Sequence, residues 1–257
     1  MASVLGRALA RYLTRRVAVF RPATASAASL AAALQPGDVL LVEGDTRLSV
    51  TIKYLTQSTW SHAALFVGAR ADLPARASEP KVFVEADLND GVRALPLSYY
   101  AEFHTRICRP VGLTAADTEA VCRYAVQRLG HRYDLKNVFD LARYLLRTPP
   151  VPTRLRRRLL ALGSGDPTRA ICSTLIAQAF QSVHYPILPH VERERSGPAD
   201  CDDCVRELYE VRHHSLFAPR DFDISPYFAV IKPTVATGFD YRQIAWRDRP
   251  ASMETPA

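Results

Sequence analysis

The chain has 257 residues, of which 48% are hydrophobic and 23% charged, the composition of an ordinary globular protein with a sizeable core. Its formal net charge is +7. Neither a glycine-rich phosphate loop nor interleaved basic and aromatic residues accompany that charge, so no nucleic acid partner is predicted. Five cysteines are an odd number in a long chain, which argues against a disulfide framework and for a reducing compartment. We therefore expect a cytoplasmic protein.

The N-terminal segment is strongly basic. Residues 1–37 contain five arginines and no acidic residue. Arg7, Arg11 and Arg15 recur every four residues, which places them on one face of a helix with leucines opposite. A basic amphipathic helix binds anionic membrane surfaces, so residues 1–20 are expected to attach the protein peripherally to one. A transit peptide, or a helix packed on the domain with its arginines in water, remains an alternative interpretation.

Three regions are expected along the chain. Residues 1–34 form the basic helix and a linker, residues 35–247 form one domain, and residues 248–257 form a tail. Residues 22–34 are rich in alanine, serine and threonine, and they are interpreted as a linker or a short second helix. No later stretch reaches the length of a transmembrane helix.

The domain is predicted to contain both strands and helices. Short apolar runs bounded by turn residues predict strands at residues 39–42, 60–68 and 81–86. Helical spacing predicts a helix over residues 46–57, with Asp45 as its N-cap, and another over residues 114–130, with Thr114 as its N-cap. The last two strands could pair as a hairpin across a polar loop, which gives antiparallel pairing.

His62 lies at the start of the predicted strand 60–68, where a side chain can reach past the sheet edge. In a hairpin, Glu85 or Asp87 would come within reach of it, because cross-strand and diagonal neighbours are close. Which carboxylate does so depends on the register. A histidine can take a thiol proton while a carboxylate fixes its ring orientation and tautomer. Taken singly, His62 also fits a hydrogen-bonded core residue, and Glu85 a solvent-facing one.

Residues 166–180 contain the candidate nucleophile, Cys172. The residues that follow it recur at helical spacing and predict a buried apolar face: Leu175, Ile176, Ala179 and Phe180. Cys172 is therefore expected at or just before a helix N-terminus, where free backbone N–H groups and the helix dipole lower a thiol pKa. The alternative is a small buried core cysteine.

A second cysteine pair has the spacing of a partial metal site. Cys201 and Cys204 form a CxxC motif, and His213 and His214 follow it. Strong zinc motifs contain a second complete pair, so two reduced cysteines in a surface loop are favoured and no metal site is predicted. The remaining two cysteines are interpreted as core residues: Cys108 and Cys122.

Several short motifs occur together in a fixed order: Gln35-Pro36-Gly37-Asp38-Val39-Leu40, Ser61-His62-Ala63-Ala64-Leu65, Val84-Glu85-Ala86 with Gly91-Val92, Tyr133-Asp134 and Cys172-Ser173-Thr174-Leu175-Ile176. This ordered set resembles the permuted branch of NlpC-type papain-like cysteine hydrolases. The subgroup that it resembles is the YiiX/YaeF/YebB type, with lecithin:retinol acyltransferase among its distant relatives. The resemblance runs from about residue 35 to about residue 232.

The resemblance implies an α+β protein with a circularly permuted papain-like (NlpC-type) fold, in which a small antiparallel sheet packs on helices. It implies Cys172 as the nucleophile, His62 as the base and Glu85 as the third residue, a role that a histidine fills in some relatives. It also implies Tyr133 as an oxyanion donor beside the backbone N–H of Cys172.

The activity implied is that of a thiol hydrolase, which cleaves an amide or ester bond of a lipid or peptide conjugate through an acyl-enzyme. No cofactor is predicted. Two alternatives remain open: an acyltransferase, and a catalytically idle membrane- or lipid-binding module of the same fold.

Overall fold

A computed structural model describes residues 12, 14–17, 23, 25–73, 79–87, 89–131, 171–195, 205–236 and 238–243. The predicted oxyanion donor Tyr133 and both cysteines of the CxxC motif, Cys201 and Cys204, lie outside these residues. Most of the predicted basic helix and the tail 248–257 also lie outside them.

The described chain contains both strands and helices. The strands are β1 (Val39–Val42), β2 (His62–Phe66), β3 (Lys81–Asp87), β4 (Gly91–Pro96), β5 (Thr105–Pro110), β6 (His190–Arg195), β7 (Val205–Glu210) and β8 (Phe228–Ile231). The α-helices are α1 (Ala27–Ala33), α2 (Arg47–Thr56), α3 (Ala115–Val126), α4 (Ile171–Gln181), α5 (Pro219–Ile224) and α6 (Pro233–Ala236). Short 3₁₀ helices lie at Leu97–Tyr100, His214–Leu216 and Tyr241–Gln243.

The described strands form one antiparallel sheet of six and one separate hairpin. The sheet order is β4-β3-β2-β1-β5-β8, and β6 pairs with β7 alone. The three predicted strands are confirmed, and the predicted hairpin is the antiparallel pair β2–β3. Helices pack on an antiparallel sheet, which confirms the predicted α+β class. The strand that begins with His62 precedes the helix that contains Cys172, in the permuted order.

Side chains alternate between the two faces of the sheet, and each face is covered by a different group of residues. One face packs against α3 and α4 and includes Val39, Leu41, Ala63, Leu65 and Val84. The other face includes Leu40, Val42, Ala64 and Phe83. It packs against α1 and against Tyr100 of the 3₁₀ helix Leu97–Tyr100. The predicted apolar face of α4 is confirmed, because all four of its residues are fully buried: Leu175, Ile176, Ala179 and Phe180.

One of the two predicted helix N-caps is confirmed and the other is wrong. Thr114 caps α3 as predicted, because its Oγ1 accepts the N–H of Asp117 at 3.1 Å. The N-cap of α2 is Thr46, whose Oγ1 accepts the N–H of Ser49 at 3.1 Å. The prediction of Asp45 as that cap is wrong, since the Asp45 carboxylate lies 3.5 Å from the Arg16 guanidinium instead.

The N-terminal segment pairs with the residues that lead into α2. Arg16 forms an isolated β-bridge with Thr46, and the Val17 N–H donates to the Asp45 carbonyl at 2.7 Å. The predicted helix over residues 1–20 therefore does not extend over residues 15–17, because their backbone groups bond to another segment.

Residues 22–34 include a short helix, the second of the two structures predicted for them. In α1, Leu30 and Ala33 are buried against the sheet. The packed structure thus extends N-terminal of the domain boundary expected at residue 35. Throughout the described parts of the chain, every helix falls short of the length and apolarity that a bilayer crossing requires.

Candidate active site

His62 is the first residue of β2 and pairs with Val42 of the neighbouring strand. Its side chain is 24% exposed, so one side of the ring faces solvent. Continuing the β2–β3 register places Asp87 opposite His62 and Glu85 at the diagonal position on the same face. The diagonal carboxylate makes the contact, since the His62 Nε2 lies against the Glu85 Oε2.

Glu85 is the most enclosed charged group of the site, with 1% of its side chain exposed. Its Oε1 accepts a hydrogen bond from Arg93 Nε at 2.7 Å, and Arg93 lies directly opposite it on β4. Its Oε2 accepts a second hydrogen bond from the buried phenol of Tyr100. Burial acts to raise the pKa of Glu85, but the charge and hydrogen bond of His62, with Arg93 and Tyr100, lower it to about 2. Glu85 is therefore a carboxylate at neutral pH.

Asp87, the other carboxylate considered for this role, holds a turn. Its Oδ1 accepts the backbone N–H groups of Asn89 at 2.8 Å and Asp90 at 3.0 Å. Its Oδ2 lies 3.6 Å from the Arg93 guanidinium. The β3–β4 turn and Arg93 thus engage Asp87, and Glu85 is the carboxylate in contact with the histidine.

Cys172 lies in the first turn of α4, which packs across β2 and β3. The residue is 4% exposed, and its thiol interacts with the His62 ring through both charge and a hydrogen bond. Because Nε2 contacts Glu85, Nδ1 is the ring nitrogen left for the sulfur. The backbone N–H of Ala63 also donates to the sulfur, and the Ser173 hydroxyl lies 3.9 Å away. The Cys172 thiol, the His62 ring and the Glu85 carboxylate therefore form a continuous chain of hydrogen-bonding contacts.

The site favours a thiolate next to an imidazolium. Burial acts to raise the pKa of Cys172, yet the His62 charge and hydrogen bonds hold it below its usual value. Burial likewise acts to lower the pKa of His62, but the charges of Glu85 and Cys172 raise it well above its usual value. Two other cysteines show the effect of burial without a histidine partner. Burial raises the pKa of Cys108 to about 12 and that of Cys122 to about 11. Both are buried, which confirms their interpretation as core residues.

The other residues considered for catalysis or metal binding are not part of this Cys172–His62–Glu85 arrangement. Tyr133 lies outside the described residues, so its oxyanion role stays a prediction. The His213 and His214 rings are tilted relative to each other with centroids 4.0 Å apart, and His213 Nδ1 forms a hydrogen bond with the Ser215 hydroxyl. Within the described ranges, no group of three or more His, Cys, Asp or Glu residues is arranged to hold a metal ion.

The sequence interpretation missed two residues that hold Glu85. Arg93 could have been found, because a basic residue in the strand after Glu85 fits a cross-strand pair of opposite charge. Tyr100 carries no comparable signal, since it lies in a 3₁₀ turn that reaches back to β3. The contact between the Ala63 N–H and the Cys172 sulfur is explained by the position of Ala63 directly after His62 in β2.

Part of the chain matches a known protein family. Residues 33–144 match the sequence model of the family described as permuted papain-like amidase enzyme, YaeF/YiiX, C92 family. The matched range includes His62 and Glu85 and ends before Cys172. None of the curated proteins compared with the chain matches it.

Among solved structures, the chain is similar to the crystal structure of the metalloprotein YiiX from Escherichia coli O157:H7. The identity is 17% and the TM-score 0.44, over 77% of this chain and 97% of that chain. The match over residues 33–144 supports the predicted resemblance to the YaeF/YiiX family of permuted papain-like amidases.

Proposed function

We propose that this chain hydrolyses an amide or ester bond through an acyl-enzyme on Cys172, with His62 as the general base and acid and Glu85 as the orienting carboxylate. The observation that carries the proposal is the single imidazole in contact with both a buried carboxylate and a buried thiol. One ring nitrogen can then exchange a proton with sulfur while the carboxylate fixes the other.

In the first half-reaction, the Cys172 thiolate attacks the carbonyl carbon and a C–S bond forms. The tetrahedral intermediate collapses with cleavage of the bond to nitrogen or oxygen, and the His62 imidazolium gives its proton to the departing amine or alcohol. In the second, neutral His62 takes a proton from water, the water oxygen attacks the thioester, and the carboxylic acid leaves. The thiolate–imidazolium pair is then restored.

The backbone N–H of Cys172 is the first oxyanion donor in this mechanism. It belongs to the first turn of α4, where N–H groups have no partner within the helix. Such a donor stabilises negative charge that develops on the carbonyl oxygen. Tyr133 is proposed as the second donor on the basis of the family resemblance.

The substrate is proposed to be a lipid or peptide conjugate that carries an amide or ester bond. A buried sulfur beside a partly open imidazole favours an extended acyl group that enters from the His62 side. Water or a second acceptor can take the acyl group from the thioester, so product analysis separates a hydrolase from an acyltransferase.

The test is capture of the acyl-enzyme on the full chain. The protein is incubated with fatty acyl amides, acyl esters and acylated peptides, and intact-mass spectrometry follows adducts and products. We expect an acyl adduct on Cys172 that is lost in Cys172→Ala and retained in Cys122→Ala, a matched change at a buried cysteine of α3. An idle binding module would bind such compounds and form no adduct, and that result would contradict the proposal.

A further inference from the structure

The outer face of α2 exposes apolar side chains next to basic ones. Arg47, Val50 and Tyr54 follow one another at three- and four-residue spacing, so they lie on one stripe of the helix. Val50 is 43% exposed and Tyr54 is 39% exposed. The Arg47 guanidinium lies 4.2 Å from the centroid of the Tyr12 ring, which is itself 46% exposed. The N-terminal segment thus extends the exposed stripe beyond the helix.

The charged side chains of this surface are basic, and Lys53 of α2 pairs with Glu43, which lies just before the helix, at 2.9 Å. No acidic residue occurs among the described positions of residues 12–17 or along α2. Arg16 is exposed and forms the bridge to Thr46, and exposed Arg15 directly precedes it. The Arg16 guanidinium lies 3.5 Å from the Asp45 carboxylate. Basic side chains are attracted to the negatively charged headgroups of an anionic bilayer. Exposed tyrosine and valine side chains can lie at the membrane interface, where an aromatic ring contacts both the acyl chains and water.

The same surface adjoins the catalytic edge of the sheet. The Gly44 N–H donates to Ser61 Oγ at 2.9 Å, and Ser61 directly precedes His62. A Cβ atom added at Gly44 would lie 2.3 Å from Ser49 Oγ, so the first turn of α2 packs closely over this junction. Contacts therefore run without a gap from α2 through Gly44 and Ser61 to the active-site histidine.

We propose that Tyr12, Arg15, Arg16 and the outer face of α2 form a surface that binds anionic phospholipid bilayers and holds the His62 end of the sheet close to the lipid. Electrostatic attraction to the headgroups and partial burial of Val50 and Tyr54 act together. Delivery of an acyl-bearing lipid to Cys172 is the part of this inference that rests on the proposed function.

Binding is tested by co-sedimentation with phosphatidylcholine vesicles that contain or lack phosphatidylserine. The full chain with Cys172→Ala is used, so that turnover plays no part. We expect binding only with phosphatidylserine, and weaker binding as salt is raised. Adding Arg15→Gln and Val50→Ser should weaken binding by about tenfold or more, since one basic residue alone corresponds to roughly fivefold.

A matched control carries the same two changes elsewhere, Arg206→Gln and Val235→Ser, at exposed positions in β7 and α6. It should bind like the parent protein. Equal binding to both kinds of vesicle, binding to neither, or equal losses in both variants would overturn the proposed surface. Retained vesicle binding by a wild-type protein that forms no acyl adduct would contradict the proposed function alone.

Discussion

The phenol of Tyr100 donates a hydrogen bond to the Oε2 atom of Glu85, the same carboxylate oxygen that contacts His62. Arg93 occupies the other oxygen at 2.7 Å. Tyr100 is 1% exposed, so this bond forms without competition from water. Its geometry fixes the direction in which Oε2 faces the imidazole, which makes Tyr100 a positioning residue for the proposed triad.

Replacing Tyr100 with phenylalanine should lower kcat/KM by about tenfold and the free energy of unfolding by about 1.5–3 kcal/mol, the range for a hydrogen bond to a charged group. With one donor lost, the pKa of Glu85 should rise, and the acid limb of the kcat/KM profile should move to higher pH.

The neighbouring Tyr99 supplies the control for that experiment. Its phenol is exposed and accepts from Arg93 Nη2 at 3.2 Å. Tyr99→Phe should leave the acid limb where it is in the wild type. Equal shifts in both variants, or a Tyr100→Phe profile identical to that of the wild type, would contradict the positioning role.

Glu85→Gln should retain more activity than Cys172→Ala, because the third residue orients the histidine while the cysteine forms the covalent bond. The expected loss of kcat is roughly 50-fold smaller than that for Cys172→Ala. Steady-state kinetics on one substrate with both variants checks this. A Glu85→Gln enzyme as inactive as Cys172→Ala would mean that the carboxylate does more than orient the ring.

The stability of the protein should fall in acid because of Glu85. Its pKa is about 2 in the folded state against an ordinary value of 4.5. A group whose pKa is lower in the folded state stabilises that state fully when the pH is above the pKa of the unfolded state. This stabilisation is lost as the pH falls through the pKa of the folded state. The shift corresponds to about 3 kcal/mol at neutral pH.

Denaturant unfolding of the wild type and Glu85→Gln between neutral pH and about pH 2 measures this contribution. The variant should be less stable at neutral pH, and its stability should change less between pH 4.5, the ordinary value, and pH 2. Parallel stability curves for the two proteins would show that Glu85 has the same proton affinity in the folded and unfolded states.

Local sequence patterns were sufficient for the parts of the fold that depend on local interactions. The strand before the turn at Gly44, the N-cap at Thr114 and the buried face of α4 all follow from residues close together in the chain. His62 at a strand start and Cys172 at a helix start were found for the same reason.

Features that depend on distant backbone groups could not be predicted in this way. The choice between Glu85 and Asp87 needed the β2–β3 register, and both residues suit a strand end. Thr46 and Asp45 are both good N-caps, and the pairing of Arg16 with this segment decides between them. Tyr100 reaches Glu85 from a turn that follows the next strand, so its role required the folded structure.

The central claim is that His62 maintains Cys172 as a thiolate, and limited alkylation with iodoacetamide at pH 6 tests it most directly. An unperturbed thiol is almost wholly protonated at that pH, so a cysteine that reacts there has a lowered pKa. Peptide mass spectrometry should find Cys172 modified before Cys108, Cys122, Cys201 and Cys204 in the wild type. In His62→Ala, that preference should be lost if the imidazolium is the main cause, and partly retained if the helix N-terminus also contributes. An inert Cys172 in the native protein, with another cysteine reacting first, would contradict the nucleophile assignment and the acyl-enzyme mechanism.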